Sequence, residues 1–297
     1  MHSQPLEGRS NLSQSVTWKE QVRRLGLFVL FLICGLLVFA FGVDYHSRFP
    51  TNTSGAYKIG LSAIFLVAMV VLRRGKRLKV YWRAAFALFA ASLTNVFTWY
   101  FVVGLREWLL SLLRLSLETP QGLAVAKLCD ALLRVLPILV LVRLSGDDMG
   151  SIYLKKGNLR WSLTVGLLAL VNLAATSIVI AASREGGLES VAHSIPWWFA
   201  YSLINGFMEE VWYRGLFLRR LQPVIGVTGS IWLTSLVFGL SHLLAVYIAP
   251  PGAPVFATIV FTLGLAFGLL MQKTDSIWGA VVFHLGTDLF WFVAVGF

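Results

Sequence analysis

The sequence predicts an all-α fold, a polytopic transmembrane helical bundle of about eight to nine spans. Three observations predict it. Of the 297 residues, 57% are hydrophobic and only 13% charged, with a mean hydropathy of +0.75, too little polar surface to keep an ordinary globular domain in water. Several stretches stay apolar for roughly 20 residues, the length a helix needs to cross hydrocarbon with its backbone satisfied internally. The basic residues gather in the loops between those stretches.

Seven stretches read plainly as spans: Leu25 to Val43, Tyr57 to Leu72, Ala84 to Leu105, Leu163 to Ala182, Ile231 to Ala249, Val255 to Met271 and Ile277 to Phe297. Two more carry charge. Leu128 to Val142 contains Asp130, Arg134 and Pro137 and is expected to span or to insert halfway; Ile195 to Phe217 is apolar except for Glu209, Glu210 and Arg214 near its far end. Trp108 to Leu117 is too short to span and is expected to lie at the interface.

A formal charge of +11 would suggest nucleic acid in a soluble chain, but here its distribution reads as topology, and no nucleic-acid partner is expected. Arg23 and Arg24 precede the first span; Arg73, Arg74, Lys76, Arg77, Lys79 and Arg83 follow the second; Lys155, Lys156 and Arg160 precede the fifth; Arg219 and Arg220 follow the sixth. With nine spans these clusters share one side, which the positive-inside rule makes cytoplasmic. The expected product is a multi-pass cell-membrane protein with its N-terminus inside. Residues 1–24 are polar with no apolar core, so they read as a cytoplasmic segment before an uncleaved first span. The two cysteines, Cys34 and Cys129, sit in apolar surroundings, which excludes a disulfide framework and a cysteine-based zinc cluster. The polar stretch Asp147 to Trp161 divides accessory helices, 25–146, from a working core, 147–297.

Ionisable residues inside spans are costly, about 2.5 to 3.5 kcal/mol each, and tend to mark function. They collect in three of the last four spans. Glu210 and Arg214 are four apart and share a helical face, while Glu209 is turned by about 100° from Glu210, so one carboxylate can pair with the arginine and leave the other free. Phe238 and His242, then His284 and Asp288, repeat the spacing of four. Counted from the basic residues or the span start, Glu209, His242 and His284 each lie 11 residues in, roughly 16 Å at 1.5 Å per residue, so a shared site at one depth is expected.

A glutamate and two histidines in a dry setting support two uses, and both stay open at this point. Glu209 could act as general base on water with a histidine shuttling the proton and the other histidine steadying an oxyanion. Alternatively, Glu209, His242 and His284 form a two-histidine, one-carboxylate set for catalytic zinc. The sequence has no His-Glu-x-x-His, and Gly239-Leu240-Ser241 lacks the second glycine of a nucleophile elbow. The Glu210–Arg214 pair by itself reads as a structural ion pair near the interface, Phe238 as packing, Asp130–Arg134 as a structural pair, and Gly264 with Gly268 as a close helix contact.

The ordered motifs Glu209-Glu210-x-x-x-Arg214, Phe238-x-x-x-His242 and His284-x-x-x-Asp288 resemble those of the CPBP intramembrane proteases, which include CAAX prenyl endopeptidases of the Rce type and bacterial Abi-like proteins. The resemblance covers the segment 147–297. It implies an intramembrane endopeptidase acting on a membrane-associated or lipid-linked peptide through a cytoplasm-facing cavity. Glu209 is implied as the base and His242 as its partner on water, with His284 and position 288 on the oxyanion side. Zinc is implied in some descriptions of the family and a glutamate-only mechanism in others. Asp288 departs from the asparagine alternative of the motif: a carboxylate donates no hydrogen bond unless protonated, so Asp288 is expected to orient His284. The rival readings are an ion-coupled transporter, which predicts inverted repeats that the sequence does not display, and a silent scaffold.

Overall fold

The computed structural model describes residues 17–43, 51–184, 187–243 and 250–296. Most of the N-terminal segment, the loop after the first span and the far end of the span expected to reach Ala249 lie outside the described residues.

Helices account for nearly all of it: α1 (Trp18–Phe39), α2 (Thr51–Arg74), α3 (Trp82–Leu113), α4 (Pro120–Leu144), α5 (Leu159–Ala182), α6 (Gly187–Ala192), α7 (Ile195–Glu209), α8 (Leu218–His242), α9 (Ala253–Thr274) and α10 (Trp278–Trp291). Every expected span has a helix at its position, and among the described residues there is no strand. By length and hydropathy alone, 6 are able to cross a membrane: α1, α2, α3, α5, α8 and α9. The others fall short for readable reasons. α4 carries Lys127, Asp130 and Arg134 through its middle, and α7 and α10 are 15 and 14 residues long before each passes into a π-helical turn.

Two boundaries differ from the sequence reading. Trp108 to Leu117 is no separate interfacial element: α3 runs unbroken for 32 residues, and its last turns are simply exposed, with Trp108 and Leu112 turned outward, until Arg114 ends it in the left-handed region at φ 55°. The helix bearing His242 begins at Leu218 and bends sharply at Gly226, whose φ of 80° only glycine adopts without strain.

Local chemistry explains the starts. The Thr119 hydroxyl accepts from the Gly122 N–H at 3.1 Å, with Pro120 at the first helical position where its missing donor costs nothing. Asn158 caps α5 through the Trp161 N–H at 3.2 Å.

Packing runs α2 on α3, α3 on α4, α4 on α7, α7 on α10 and α10 on α5, while α8 lies between α1 and α9. One continuous apolar cluster joins residues before and after the polar stretch, from Phe31, Phe39 and Phe86 to Trp212, Phe238 and Phe267. Outer faces are equally apolar: Leu25 of α1 is 64% exposed and Leu168 of α5 67%, which is stable only where the surroundings are hydrocarbon. Gly264 and Gly268 do form a close contact, since a Cβ on Gly268 would stand 3.2 Å from Ile231 and one on Gly264 3.1 Å from Ser235, both on α8. Asp130 and Arg134 pair at 3.7 Å.

The basic clusters meet at one end of the bundle. Arg83 and Arg220 both reach Asp147, at 3.1 and 2.9 Å, Arg23 donates to Tyr81, and Lys155 and Arg219 both pair with Asp275. The α9–α10 turn is pinned there as well, by Ile277 N–H to the Tyr153 carbonyl at 3.1 Å and Asn158 N–H to the Thr274 carbonyl at 2.6 Å.

Candidate active site

The polar residues of α7 stand where the helix changes pitch. After Glu209 the backbone widens into a π-helical turn, Glu210–Gly215, marked by a Leu216 N–H to Val211 carbonyl bond of 2.9 Å. Within it Arg214 Nη1 donates to Glu210 Oε1 at 2.6 Å, and neither side chain has any exposure. The expected ion pair is present, but it lies in the interior of the bundle instead of near an interface.

α10 delivers His284 to this pair. Gly206 permits the approach, because a Cβ there would come within 3.2 Å of His284 Cβ. The His284 Nδ1–H donates to Glu210 Oε1 at 2.9 Å, so one carboxylate oxygen receives both the guanidinium and the imidazole. The other nitrogen, Nε2, faces Glu209 Oε2 at 3.5 Å and Asp288 Oδ1 at 3.7 Å. Asp288 is itself held by Asn205, whose amide donates to Oδ2 at 2.9 Å. Asn205 escaped the sequence reading, although a signal existed: it sits four residues before Glu209 and therefore on the same helical face.

Aromatic rings enclose the cluster. Phe267 stacks on the His284 imidazole with centroids 5.0 Å apart and planes at 15°, and Phe238 meets it edge-on at 6.0 Å. The Arg214 guanidinium lies over Phe238 at 4.3 Å and Phe267 at 5.2 Å. Gly264 leaves the space for it: a Cβ at that position would be 2.8 Å from Arg214 Nη2. Behind the motif, Arg134 covers Trp212 at 4.1 Å and donates to Asn95 Oδ1 at 2.9 Å, so the accessory helices brace the π-helical turn.

His242 lies one turn beyond Phe238, the ring that also meets His284. Its Nδ1 lies 2.7 Å from the Phe238 carbonyl, its ring packs against Phe238 and Phe256, and it is half-buried. The histidine at Glu209 is His284. Among the described residues no group of three His, Cys, Asp or Glu is arranged to hold a metal ion.

Glu210 is sealed, while the Glu209 and Asp288 side chains retain 16% and 20% exposure and His242 lies one turn beyond Phe238. Several buried polar atoms in the site have no protein partner: Glu210 Oε2, Arg214 Nε and Nη2, and Asn205 Oδ1.

Residues 191–290 match a family model described as Type II CAAX prenyl endopeptidase Rce1-like. No curated protein and no solved structure matches the chain.

Proposed function

We propose that the chain, whose residues 191–290 match an Rce1-like type II CAAX prenyl endopeptidase, hydrolyses a peptide bond of a membrane-associated or lipid-linked substrate with water activated by Glu209. The observation that supports this reading is the meeting of Glu209, Glu210, Arg214, His284 and Asp288 in one buried cluster, drawn from two helices 74 residues apart in sequence.

In this mechanism Glu210 and Arg214 are not proton carriers. Their bond and the His284 Nδ1–H fix each other, which leaves His284 Nε2 as the nitrogen that exchanges protons. Glu209 removes a proton from water, and His284 Nε2, 3.5 Å away, relays it toward the leaving amine. Asp288 orients His284 from the other side, and the Asn205 amide supplies beside it the N–H donor that a carboxylate lacks. His242 gives its Nδ1–H to the Phe238 carbonyl, so its Nε2 is an acceptor suited to a water or a substrate N–H at the rim. A zinc ion would add Lewis acidity, but no three His, Cys, Asp or Glu side chains among the described residues are arranged to hold one, and no step here uses one. The gathering of basic clusters at one end supports a cytoplasmic N-terminus by the positive-inside rule.

The test is cleavage of quenched fluorescent peptides, prenylated and plain, by purified protein in detergent, with Glu209→Ala, His242→Ala and His284→Ala alongside and a chelator in parallel. Loss of cleavage in Glu209→Ala and His284→Ala, with chelator resistance, is the expected result. Absence of cleavage by the native chain, or equal cleavage by all variants, would move the transporter or scaffold reading ahead.

A further inference from the structure

The end of the bundle that carries the basic clusters holds a cleft of about 330 Å³ unrelated to the Glu209–His284 cluster, with Arg83, Lys155, Arg219, Arg220, Asp147 and Asp148 in its wall. Its cations come from three separate parts of the chain: the start of α3, the connector after α4 and the start of α8. Their internal partners are few. Asp147 is shared by Arg83 and Arg220, and Asp275 by Lys155 and Arg219, so each carboxylate serves two cations. With Asp148, which caps the Ser151 N–H at 2.9 Å, three carboxylates face four cations, and Arg73 approaches across Trp82, which lies under both Arg73 and Arg83 at 5.1 and 5.4 Å.

The cleft is part rigid and part adaptable. The Arg220 side chain is 2% exposed and held by the Leu216 carbonyl, Asp147 and Ser151 Oγ, while Arg83, Lys155 and Arg219 retain 55%, 38% and 33% exposure and can turn toward a ligand. The Nε donors of Arg219 and Arg220 have no protein acceptor. Guanidinium forks with a neighbouring ammonium and hydroxyl suit a phosphate, which offers more acceptor oxygens than a carboxylate. Two features favour a phosphate attached to lipid. The cleft lies where the helices leave the apolar layer, and three residues before Asp147 begins an outward stripe on α4: Leu144, Val140 and Leu136, spaced by four, are 76%, 56% and 52% exposed. Trp161, 60% exposed, stands at the same end.

We propose that this cleft binds the phosphate of an anionic phospholipid headgroup, with the lipid's acyl chain lying along the Leu144–Val140–Leu136 stripe of α4. Delipidated protein in neutral detergent is titrated with dioleoylphosphatidylglycerol or dioleoylphosphatidylcholine, reading retained lipid by native mass spectrometry and melting temperature. Inorganic phosphate and water-soluble glycerophosphoglycerol are run as separate arms. The anionic lipid is expected to be retained one per chain and to raise the melting temperature, and the zwitterionic lipid is not. The double variant Arg83→Gln/Lys155→Gln, made at two exposed positions, is expected to weaken that retention about tenfold or more while melting like the native chain in the zwitterionic lipid. Equal retention of both lipids overturns the proposal, as does retention untouched by the double variant. Equal stabilisation by inorganic phosphate or the soluble headgroup overturns the lipid assignment. None of these readouts depends on peptidase activity, so the proposal stands or falls apart from it.

Discussion

Arg214→Met isolates the most consequential contact in the interior. The substitution keeps a long, apolar side chain between Phe238 and Phe267 but removes the guanidinium that neutralises Glu210 in a place with no exposure. Breaking one partner of a buried pair costs about 3 to 5 kcal/mol, because the remaining charge is stranded away from water. The lower half of that range is expected, since His284 Nδ1 still donates to Glu210 Oε1 at 2.9 Å. At roughly 2 to 4 °C per kcal/mol, about 3 kcal/mol is a fall of some 6 to 12 °C in apparent melting temperature. Removing the stranded charge as well, in Glu210→Gln/Arg214→Met, should recover part of the loss, giving a coupling energy of about 1 kcal/mol or more in a double-mutant cycle. The assay is thermal unfolding of the purified variants in one detergent at one scan rate, followed by intrinsic tryptophan fluorescence. A single variant that melts within about 2 °C of the native chain, with no recovery in the double, would show that Glu210 is not an uncompensated buried charge and would refute the reasoning.

Three further outcomes follow from the same geometry. Gly264→Ala places a Cβ 2.8 Å from Arg214 Nη2, on a guanidinium whose Nη1 is pinned by Glu210, and should cost about 1 to 3 kcal/mol of stability, whereas Gly104→Ala on α3, with nothing within 4 Å, should be neutral or stabilising by about 0.5 to 1 kcal/mol; equal melting shifts for the two would contradict the packing argument. Asp288→Asn should keep kcat/KM within about tenfold of native, because Asn205 can rotate its amide to meet the new side chain, while Asp288→Ala should lose considerably more; a reversal of that order counts against an orienting role. Arg134→Met removes the cation over Trp212 at 4.1 Å and the bond to Asn95, and should lower kcat with little change in KM, with partial rescue by Arg134→Lys; a change confined to KM would contradict a bracing role.

Much of the site was legible because helical periodicity acts over four residues. Glu210 with Arg214, and His284 with Asp288, are neighbours on any helix, and the structure keeps both pairs even where the first stands on a π-helical turn. What periodicity does not carry is where a helix begins. The start of the helix bearing His242 escaped the linear reading because the bend at Gly226 lies inside what reads as one loop and one span, and α3 was read too short because its exposed last turns look like a surface segment. The number of spans was likewise legible as helices but not as crossings, since the charges of α4 and the brevity of α7 and α10 are supported by neighbours that a linear reading does not see.

Composition and spacing by themselves determined that the chain is an all-helical membrane protein with carboxylates and histidines on its last helices, because burying a backbone in hydrocarbon leaves few options and an unpaired intramembrane charge is too costly to be incidental. Only the tertiary structure decided which of these meet: His284 and not His242 beside Glu209, Asn205 on Asp288, Arg134 behind Trp212. Those choices depend on small residues such as Gly206 and Gly264 that set how closely whole helices approach, and contacts between helices are fixed by the packing of all of them together.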